Sequence, residues 1–223
     1  MNRRNFLMTT ALAALGVGGA YLYTSQPQVT DFVITPANAQ DAAEIDTSMI
    51  KDLVMGDADA PIELIEYASY TCPHCANFHS TVFKQLKENY IDTGKVKFVY
   101  REVYFDKYGL WAAMVARCGG DLRYFGILDM LYEQQKDWIA GGKDAMEIVE
   151  NLRTIGKKAG LTDADLDSCM NDGAMAQAMV AKYETEVAEY EVSSTPTLII
   201  NGQKERNMSY AELSEKLDAI LNG

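Results

Sequence analysis

Apolar runs along the first half of the chain predict two strands with a helix between them. Residues 62–68 form a short apolar and aromatic run after Pro61, which is typical of a buried strand. From Pro73 onward the apolar residues follow helical spacing, and this pattern ends near Gly94. Residues 96–100 then alternate as a second strand. Because crossovers of this length join parallel strands, the segment predicts a right-handed βαβ unit.

A block of helical patterns follows, and no run between Lys107 and about Glu189 alternates as a strand would. Glycines interrupt the block and mark the ends of its helical stretches. The predicted helices cover residues 110–118, 122–138, 145–158, 163–171 and 174–189. The pattern therefore predicts an α/β protein with an inserted all-helical domain.

The last part of the chain predicts a hairpin and a helix. Residues 197–200 form a short apolar strand, and Asn-Gly at positions 201–202 is the dipeptide most typical of a two-residue hairpin turn. Residues 203–206 are therefore expected to return as an antiparallel strand. A capping box at residues 209–212 opens a last helix that reaches Leu221.

The first residues have the plan of a bacterial export signal. Arg3 and Arg4 precede an uncharged apolar run over residues 9–23, and small residues around Ala39 fit a cleavage site. The paired arginines suit both the twin-arginine and the general export route. An uncleaved N-terminal membrane anchor is the alternative, although the run is shorter than the roughly 20 residues of a comfortable span. Both alternatives place the body of the protein outside the cytoplasm, in a compartment where cysteines can form disulfides.

The predicted organisation has five parts. They are a signal peptide at residues 1–39, an N-terminal extension at 40–58, the first part of the α/β fold at 59–106, the helical insertion at 107–190 and the second part of the α/β fold at 191–223. A net charge of −12 argues against nucleic acid as a partner. Four cysteines in 223 residues are too few for a disulfide scaffold, so that each needs its own explanation.

The motif Cys72-Pro73-His74-Cys75 lies where the first predicted strand turns into the first predicted helix. At a helix N-terminus, unpaired backbone N–H groups and the helix dipole favour an anion, and hence a thiolate at Cys72. Pro73 suits the first helical position because its missing N–H would be unpaired there anyway. His74 adds a hydrogen-bond donor and, when protonated, a positive charge. The motif therefore predicts a redox-active disulfide in which Cys72 attacks and Cys75 resolves.

Three other interpretations of the motif compete with redox chemistry. A c-type haem site requires His directly after the second cysteine, where this chain has Ala76. A zinc site could combine Cys72, Cys75 and His79, but no second Cys-x-x-Cys pair supplies a fourth ligand. A purely structural disulfide across so short a loop would stabilise the fold little. The residues favour redox chemistry.

Together with the helical insertion and with Ser194-Thr195-Pro196-Thr197 before the later strand, the motif resembles the DsbA family of thioredoxin-fold thiol:disulfide oxidoreductases. The resemblance covers about residues 59–221. Pro-His between the cysteines is the dipeptide of the DsbA oxidants, whereas thioredoxin carries Gly-Pro. The resemblance implies a thioredoxin fold with an inserted helical domain.

The resemblance also implies a function. It points to a periplasmic oxidase that donates the Cys72–Cys75 disulfide to reduced or unfolded exported polypeptides. No cofactor is expected besides this disulfide, and no metal. A membrane quinone-linked partner similar to DsbB would reoxidise the dithiol, and we expect the protein to act as a monomer.

Thr195 and Pro196 form the second element of the implied site. In the family this peptide bond is cis and packs beside the disulfide, which exposes the Thr195 backbone for pairing with a substrate segment. Thr before this proline is also common in disulfide isomerases and reductases of the same fold. An isomerase or reductase therefore stays open as an alternative to the oxidase.

Glu66 lies six residues before Cys72, at the offset where thioredoxin-like proteins place a buried carboxylate. Such a group could accept a proton from Cys75 during turnover. A structural carboxylate whose hydrogen bonds are satisfied within the fold is the alternative. Glu63 has the opposite parity on the same strand and should face the other side of the sheet.

Cys118 and Cys169 lie on two predicted helices of the insertion. In an oxidising compartment this remaining pair suggests a second disulfide. Similar pairs appear in some alphaproteobacterial DsbA-like proteins, which implies a structural or potential-tuning role. Two separately buried thiols are the alternative, since cysteine is a normal core residue.

A different class of function stays open as well. In a non-enzymatic exported holdase or zinc-binding protein, the cysteines would be passive or would hold metal. Four aromatic residues at helical spacing in the insertion are expected to belong to the core, and they are Tyr124, Phe125, Tyr132 and Trp138.

Overall fold

The computed structural model describes residues 45–142 and 144–223, which form a five-stranded mixed sheet with helices packed against it. The predicted signal peptide and its cleavage near Ala39 lie outside the described residues. The strands are β1 (Leu53–Met55), β2 (Ile62–Ala68), β3 (Val96–Glu102), β4 (Thr197–Ile200) and β5 (Gln203–Arg206). Their order across the sheet is β1-β3-β2-β4-β5.

The strand pairing confirms the two predicted units of the sheet. β2 and β3 run parallel, with Leu64 opposite Phe98, as the βαβ pattern predicts. β4 lies antiparallel on the other side of β2, with Ile200 opposite Leu64, and it pairs with β5 as a hairpin. The turn places Asn201 at φ 45° and Gly202 at φ 79°, a left-handed pair that Asn and Gly adopt most readily.

Helices connect and cover these strands. They are α1 (Pro73–Phe78), α2 (Lys84–Leu86), α3 (Lys107–Cys118), α4 (Gly120–Glu133), α5 (Gln135–Ala140), α6 (Ala145–Lys158), α7 (Asp163–Met170), α8 (Gly173–Glu189) and α9 (Tyr210–Asn222). Two π-helical segments, His79–Phe83 and Lys87–Ile91, extend α1 and α2. The helices between β3 and β4 form the inserted helical domain of a thioredoxin fold.

Side chains of alternate parity on β2 enter two different clusters. Leu64 joins the main core between the sheet and most of the helices. Ile65 and Tyr67 point to the opposite face, where Tyr183 and Val187 of α8 pack against them. Both faces of the strand are therefore buried, which explains why its sequence reads as a nearly continuous apolar run.

The predicted helix over residues 122–138 is wrong in its length. The chain leaves helical geometry at Gln134, where φ is −102° and ψ is 16°, and α5 starts afresh at the next residue. Trp138 is buried, and its indole N–H donates to the carbonyl oxygen of Leu131 at 2.8 Å. The indole thus satisfies a carbonyl near the end of α4, and burial of this ring favours the change of direction.

Strand β1 has no counterpart among the predicted elements. It pairs antiparallel with β3 at the sheet edge, with Val54 opposite Val99, and it is three residues long. So short a segment shows no periodicity of its own, since its strand character comes from its partner. Within the described ranges, the structure contains no helix that is both long and apolar enough to cross a membrane.

Candidate active site

Cys72 and Cys75 lie at the start of α1, directly after the turn that follows β2. Cys72 is the N-cap residue with an extended backbone (φ −82°, ψ 119°), and Pro73 is the first helical residue. The Cys72 carbonyl accepts hydrogen bonds from the N–H groups of Cys75 at 3.1 Å and Ala76 at 3.2 Å. Pro73 and His74 are exposed, whereas Cys72 is 8% exposed and Cys75 is fully buried. An incoming thiolate can therefore approach only Cys72.

The two sulfurs belong to free thiols, and their environments separate their acidities. The Cys75 thiol hydrogen-bonds to the Cys72 sulfur and lowers the pKa of Cys72 to about 5, against the opposing effect of burial. Thr195 and the backbone N–H groups of Cys75 and His74 lower this pKa further. Burial raises the pKa of Cys75 well above the usual range, and so do its bond to Cys72 and the Glu66 charge. At neutral pH the site therefore holds a thiolate at Cys72 and a thiol at Cys75.

The segment before β4 closes the other side of Cys72. The Thr195–Pro196 peptide bond is cis, and the Thr195 carbonyl oxygen lies 3.5 Å from the Cys72 sulfur. Pro196 is buried and Thr195 is partly exposed. The structure thus brings together the two motifs that are separated by more than a hundred residues along the chain.

Glu66 lies on β2 beneath the cysteines and is 3% exposed. Burial raises its pKa to about 8, and the Cys72 thiolate adds to this effect. Glu63 lies on the opposite face of β2, where Lys97 Nζ is 2.7 Å from its carboxylate. Glu66 is accordingly protonated in most molecules at pH 7 and can exchange its proton near neutrality.

A cluster of paired tyrosine hydroxyls lies on the buried side of the site, and no sequence pattern predicted the pairing. The hydroxyls of Tyr100 and Tyr132 are 2.6 Å apart, as are those of Tyr70 and Tyr124. The Tyr124 hydroxyl donates to Glu102 at 2.8 Å. Burial raises the pKa of each of the four phenols well above the usual range, so that all remain protonated. Helical spacing identified Tyr124 and Tyr132 as core residues, but spacing carries no information on their hydroxyls.

Two further polar contacts fix the turn before Cys72. The Thr71 hydroxyl donates to the Asp106 carboxylate at 2.9 Å, and the Gln135 amide donates to backbone carbonyls of the turn. Neither Asp106 nor Gln135 stands near the cysteine motif along the chain. The sequence therefore contained no strong indication that either residue contacts the active-site turn.

Cys118 and Cys169 form a disulfide that joins the end of α3 to α7, with their Cα atoms 5.8 Å apart. The two cysteines are therefore bonded to each other and are not two separately buried thiols. His79, the third residue of the zinc alternative, is buried with its ring stacked on those of Phe83 and Tyr132. Its Nε2 lies 2.8 Å from the Asp129 carboxylate. Among the described residues, no three His, Cys, Asp or Glu side chains are grouped as metal ligands.

The structure combines a thioredoxin fold, a slightly exposed thiol of lowered pKa at a helix N-terminus and a fully buried partner thiol. This combination defines a thiol:disulfide oxidoreductase. Comparisons with known proteins agree with this class. The family model described as Thioredoxin matches residues 48–219. A Rickettsia bellii protein named as a protein-disulfide oxidoreductase is 34% identical over 199 residues, which cover 85% of this chain and 75% of that protein.

Two further comparisons narrow the class. Disulfide bond formation protein D of Bacillus subtilis is 26% identical over 189 residues, which cover 76% of this chain and 77% of that protein. The crystal structure of Wolbachia pipientis α-DsbA1 superposes with a TM-score of 0.72 and 26% identity, covering 79% of this chain and 96% of that one. The chain belongs to the DsbA family of thioredoxin-fold thiol:disulfide oxidoreductases.

Proposed function

We propose that the protein is a dithiol oxidase that donates the Cys72–Cys75 disulfide to other proteins. The observation that carries this proposal is the separation of the two thiol pKa values. Cys72 has a pKa of about 5, whereas the pKa of Cys75 lies far above the usual range. A stabilised Cys72 thiolate favours the reduced form, so that the disulfide form readily gives up its bond.

The size of this effect favours an oxidant. A pKa of about 5 stabilises the reduced form at pH 7 by about 3 kcal/mol relative to a thiol of ordinary pKa. In a two-electron couple this amounts to about 60 mV in the oxidising direction. A shift of this size in the reduction potential favours the oxidase over the reductase alternative.

The proposed reaction assigns a task to each residue of the site. A substrate thiolate attacks the Cys72 sulfur of the disulfide and forms a mixed disulfide, while the sulfur of Cys75 leaves and takes up a proton from Glu66. A second thiolate of the substrate then attacks the substrate sulfur of the mixed disulfide. Cys72 leaves as a stable thiolate, and two electrons have passed from the substrate to the cysteine pair.

Substrate contacts and partners follow from the same geometry. The Thr195 backbone lies beside the Cys72 sulfur and would pair with an extended substrate segment, in the manner of an added strand. We propose reduced exported polypeptides as substrates and a membrane quinone-linked, DsbB-like protein as the reoxidising partner. The predicted export signal supports a periplasmic location, and the name of the Bacillus subtilis relative, disulfide bond formation protein D, supports a role in forming disulfides. The disulfide itself serves as the redox group, and we propose that the protein acts as a monomer.

The equilibrium reduction potential against glutathione tests the direction of the reaction. We expect a potential at least about 50 mV more positive than that of thioredoxin, which is about −270 mV. A value close to that of thioredoxin would contradict the oxidase and favour the reductase or isomerase.

A second experiment tests the nucleophile. Cys72→Ser should abolish catalysed oxidation of a reduced protein substrate, because Cys75 is too buried to be attacked. The double variant Cys118→Ala/Cys169→Ala is the control and should retain catalysis with altered stability or potential. Full activity of Cys72→Ser, or stoichiometric zinc retained by the purified wild type, would favour a passive binding protein.

A further inference from the structure

A buried glutamine of the helical domain contacts the turn that carries Cys72. Gln135, the first residue of α5, is only 6% exposed. Its Nε2 lies 2.8 Å from the carbonyl oxygen of Tyr70 and 2.9 Å from that of Cys72. A side-chain amide has two N–H hydrogens, so that one group satisfies two carbonyls of the same turn.

The Cys72 carbonyl is also the first acceptor of α1. It receives the N–H groups of Cys75 and Ala76, which form the opening turn of the helix. Besides the Cys75 thiol and Thr195, the backbone N–H groups of Cys75 and His74 stabilise the Cys72 thiolate. The orientation of this first turn therefore decides how well those N–H groups face the sulfur.

Packing alone does not account for a glutamine at this position. A methionine of similar size would fill the same space, but it would take the amide donor from both carbonyls. The Cys72 carbonyl would keep the N–H groups of Cys75 and Ala76, whereas the loss at the buried Tyr70 carbonyl is unfavourable in a dry interior. The neighbouring Gln134 offers a contrast, because its side-chain oxygen accepts a bond from Lys158 at 2.8 Å. In the part of the chain that the structure describes, no hydrogen bond joins the Gln134 side chain to the turn.

We propose that Gln135 is a positioning residue for thiol–disulfide exchange, whose amide ties the active-site turn to the helical domain and holds the first N–H groups of α1 toward the Cys72 sulfur. It acts through the backbone of the turn. The inference rests on the proposed function only in taking Cys72 as the attacking thiol, and it holds for an oxidase and an isomerase alike.

The test is the titration of Cys72 in the reduced full chain, followed by the ultraviolet absorbance of the thiolate. In Gln135→Met the pKa of Cys72 should rise by about one unit, which is a tenfold fall in the ratio of thiolate to thiol at a given pH. Gln134→Met is the matched control and should titrate as the wild type. Thermal unfolding of both variants separates this effect from a loss of stability.

If the methionine variant does not fold, Gln135→Asn tests the proposed positioning role instead. It keeps the amide but draws it back by one methylene, and the pKa of Cys72 should rise by a smaller amount. An unchanged Cys72 pKa in a folded Gln135 variant, even one of lower stability, would overturn the proposal and leave Gln135 a structural residue. An ordinary Cys72 pKa in the wild type would instead contradict the proposed oxidase function.

Discussion

At the scale of single residues, Cys72 and Glu66 give the reduced protein opposite responses to pH. The folded-state pKa of Cys72 is about 5 against an ordinary 9.0, so that the unfolded chain binds more protons between these values and stability rises with pH. The pKa of Glu66 is about 8 against an ordinary 4.5. The folded state then binds more protons, and stability falls as pH rises through this window.

Glu66→Gln should remove the second of these responses. The difference in free energy of unfolding between the reduced wild type and this variant should fall by at least about 2 kcal/mol from pH 5 to pH 8. The cause is that the folded wild type keeps the Glu66 proton through most of this range, whereas the unfolded chain releases it above the ordinary pKa of 4.5, and the variant has no such proton. Urea denaturation at each pH measures the difference.

Glu63→Gln is the matched control for this experiment, since it changes the same residue type on the opposite face of β2. An equal pH-dependent difference in both variants would assign the effect to the strand as a whole and contradict the special environment of Glu66.

At the scale of elements, a buried ion pair joins the sheet to the helical domain. Glu102 at the end of β3 accepts Arg117 Nε of α3 at 2.8 Å and the Tyr124 hydroxyl of α4 at 2.8 Å. The Tyr104 hydroxyl donates to the same carboxylate. Only 2% of the Glu102 side chain and 12% of the Arg117 side chain are exposed. Removal of one partner would therefore leave a charge or several donors buried without compensation.

Glu102→Gln should lower the free energy of unfolding by about 3 kcal/mol or more, because the Arg117 charge stays buried without its partner. The double variant Glu102→Gln/Arg117→Met should lose less unfolding free energy than the two single variants lose together, by at least about 1 kcal/mol. Urea denaturation of the four proteins of this cycle gives the coupling.

The exposed pair of Lys84 and Glu133, at 2.7 Å, is the control for the buried one. Because solvent screens both charges, Glu133→Gln should change stability by less than about 1 kcal/mol. Equal losses for the buried and the exposed pair would contradict the role of burial.

The elements themselves were predictable to different degrees. Strand β2 and the last helix α9 follow from local signals, an apolar run and a capping box, and the structure confirms both. The break at Gln134 and the strand β1 were not predicted. Strand β1 depends on pairing with β3, which is distant in sequence, and the break depends on burial of the Trp138 ring. Local periodicity predicts neither effect.

At the scale of the whole molecule, the second disulfide restrains the helical domain. Cys118 and Cys169 are 51 residues apart in sequence, and their bond joins α3 to α7. In the chain-entropy description, closure of a loop of this length removes freedom from the unfolded chain that is worth about 4 kcal/mol.

The variant Cys118→Ala/Cys169→Ala should lose about 2–4 kcal/mol of unfolding free energy in urea, with the thiolate transition of Cys72 still present. Both residues are replaced so that no single thiol is left to react. A loss below about 0.5 kcal/mol would contradict a stabilising role of the cross-link, and disappearance of the Cys72 transition would show that the active site depends on it.

Short-range patterns in the sequence were enough to predict the cysteine motif and its class of chemistry. The contacts around the two cysteines were decided by the packing of the tertiary structure. The cysteine spacing, the proline at the start of α1 and the alternation of β2 act over a few residues, and so the position of Cys72 at the start of α1 and the face of Glu66 were predictable from the sequence. The contacts of Thr195 and Gln135 with the Cys72 turn, and the pairing of the tyrosine hydroxyls, join residues that are distant in sequence. They depend on how the helical domain packs against the sheet, and no short-range pattern encodes that arrangement.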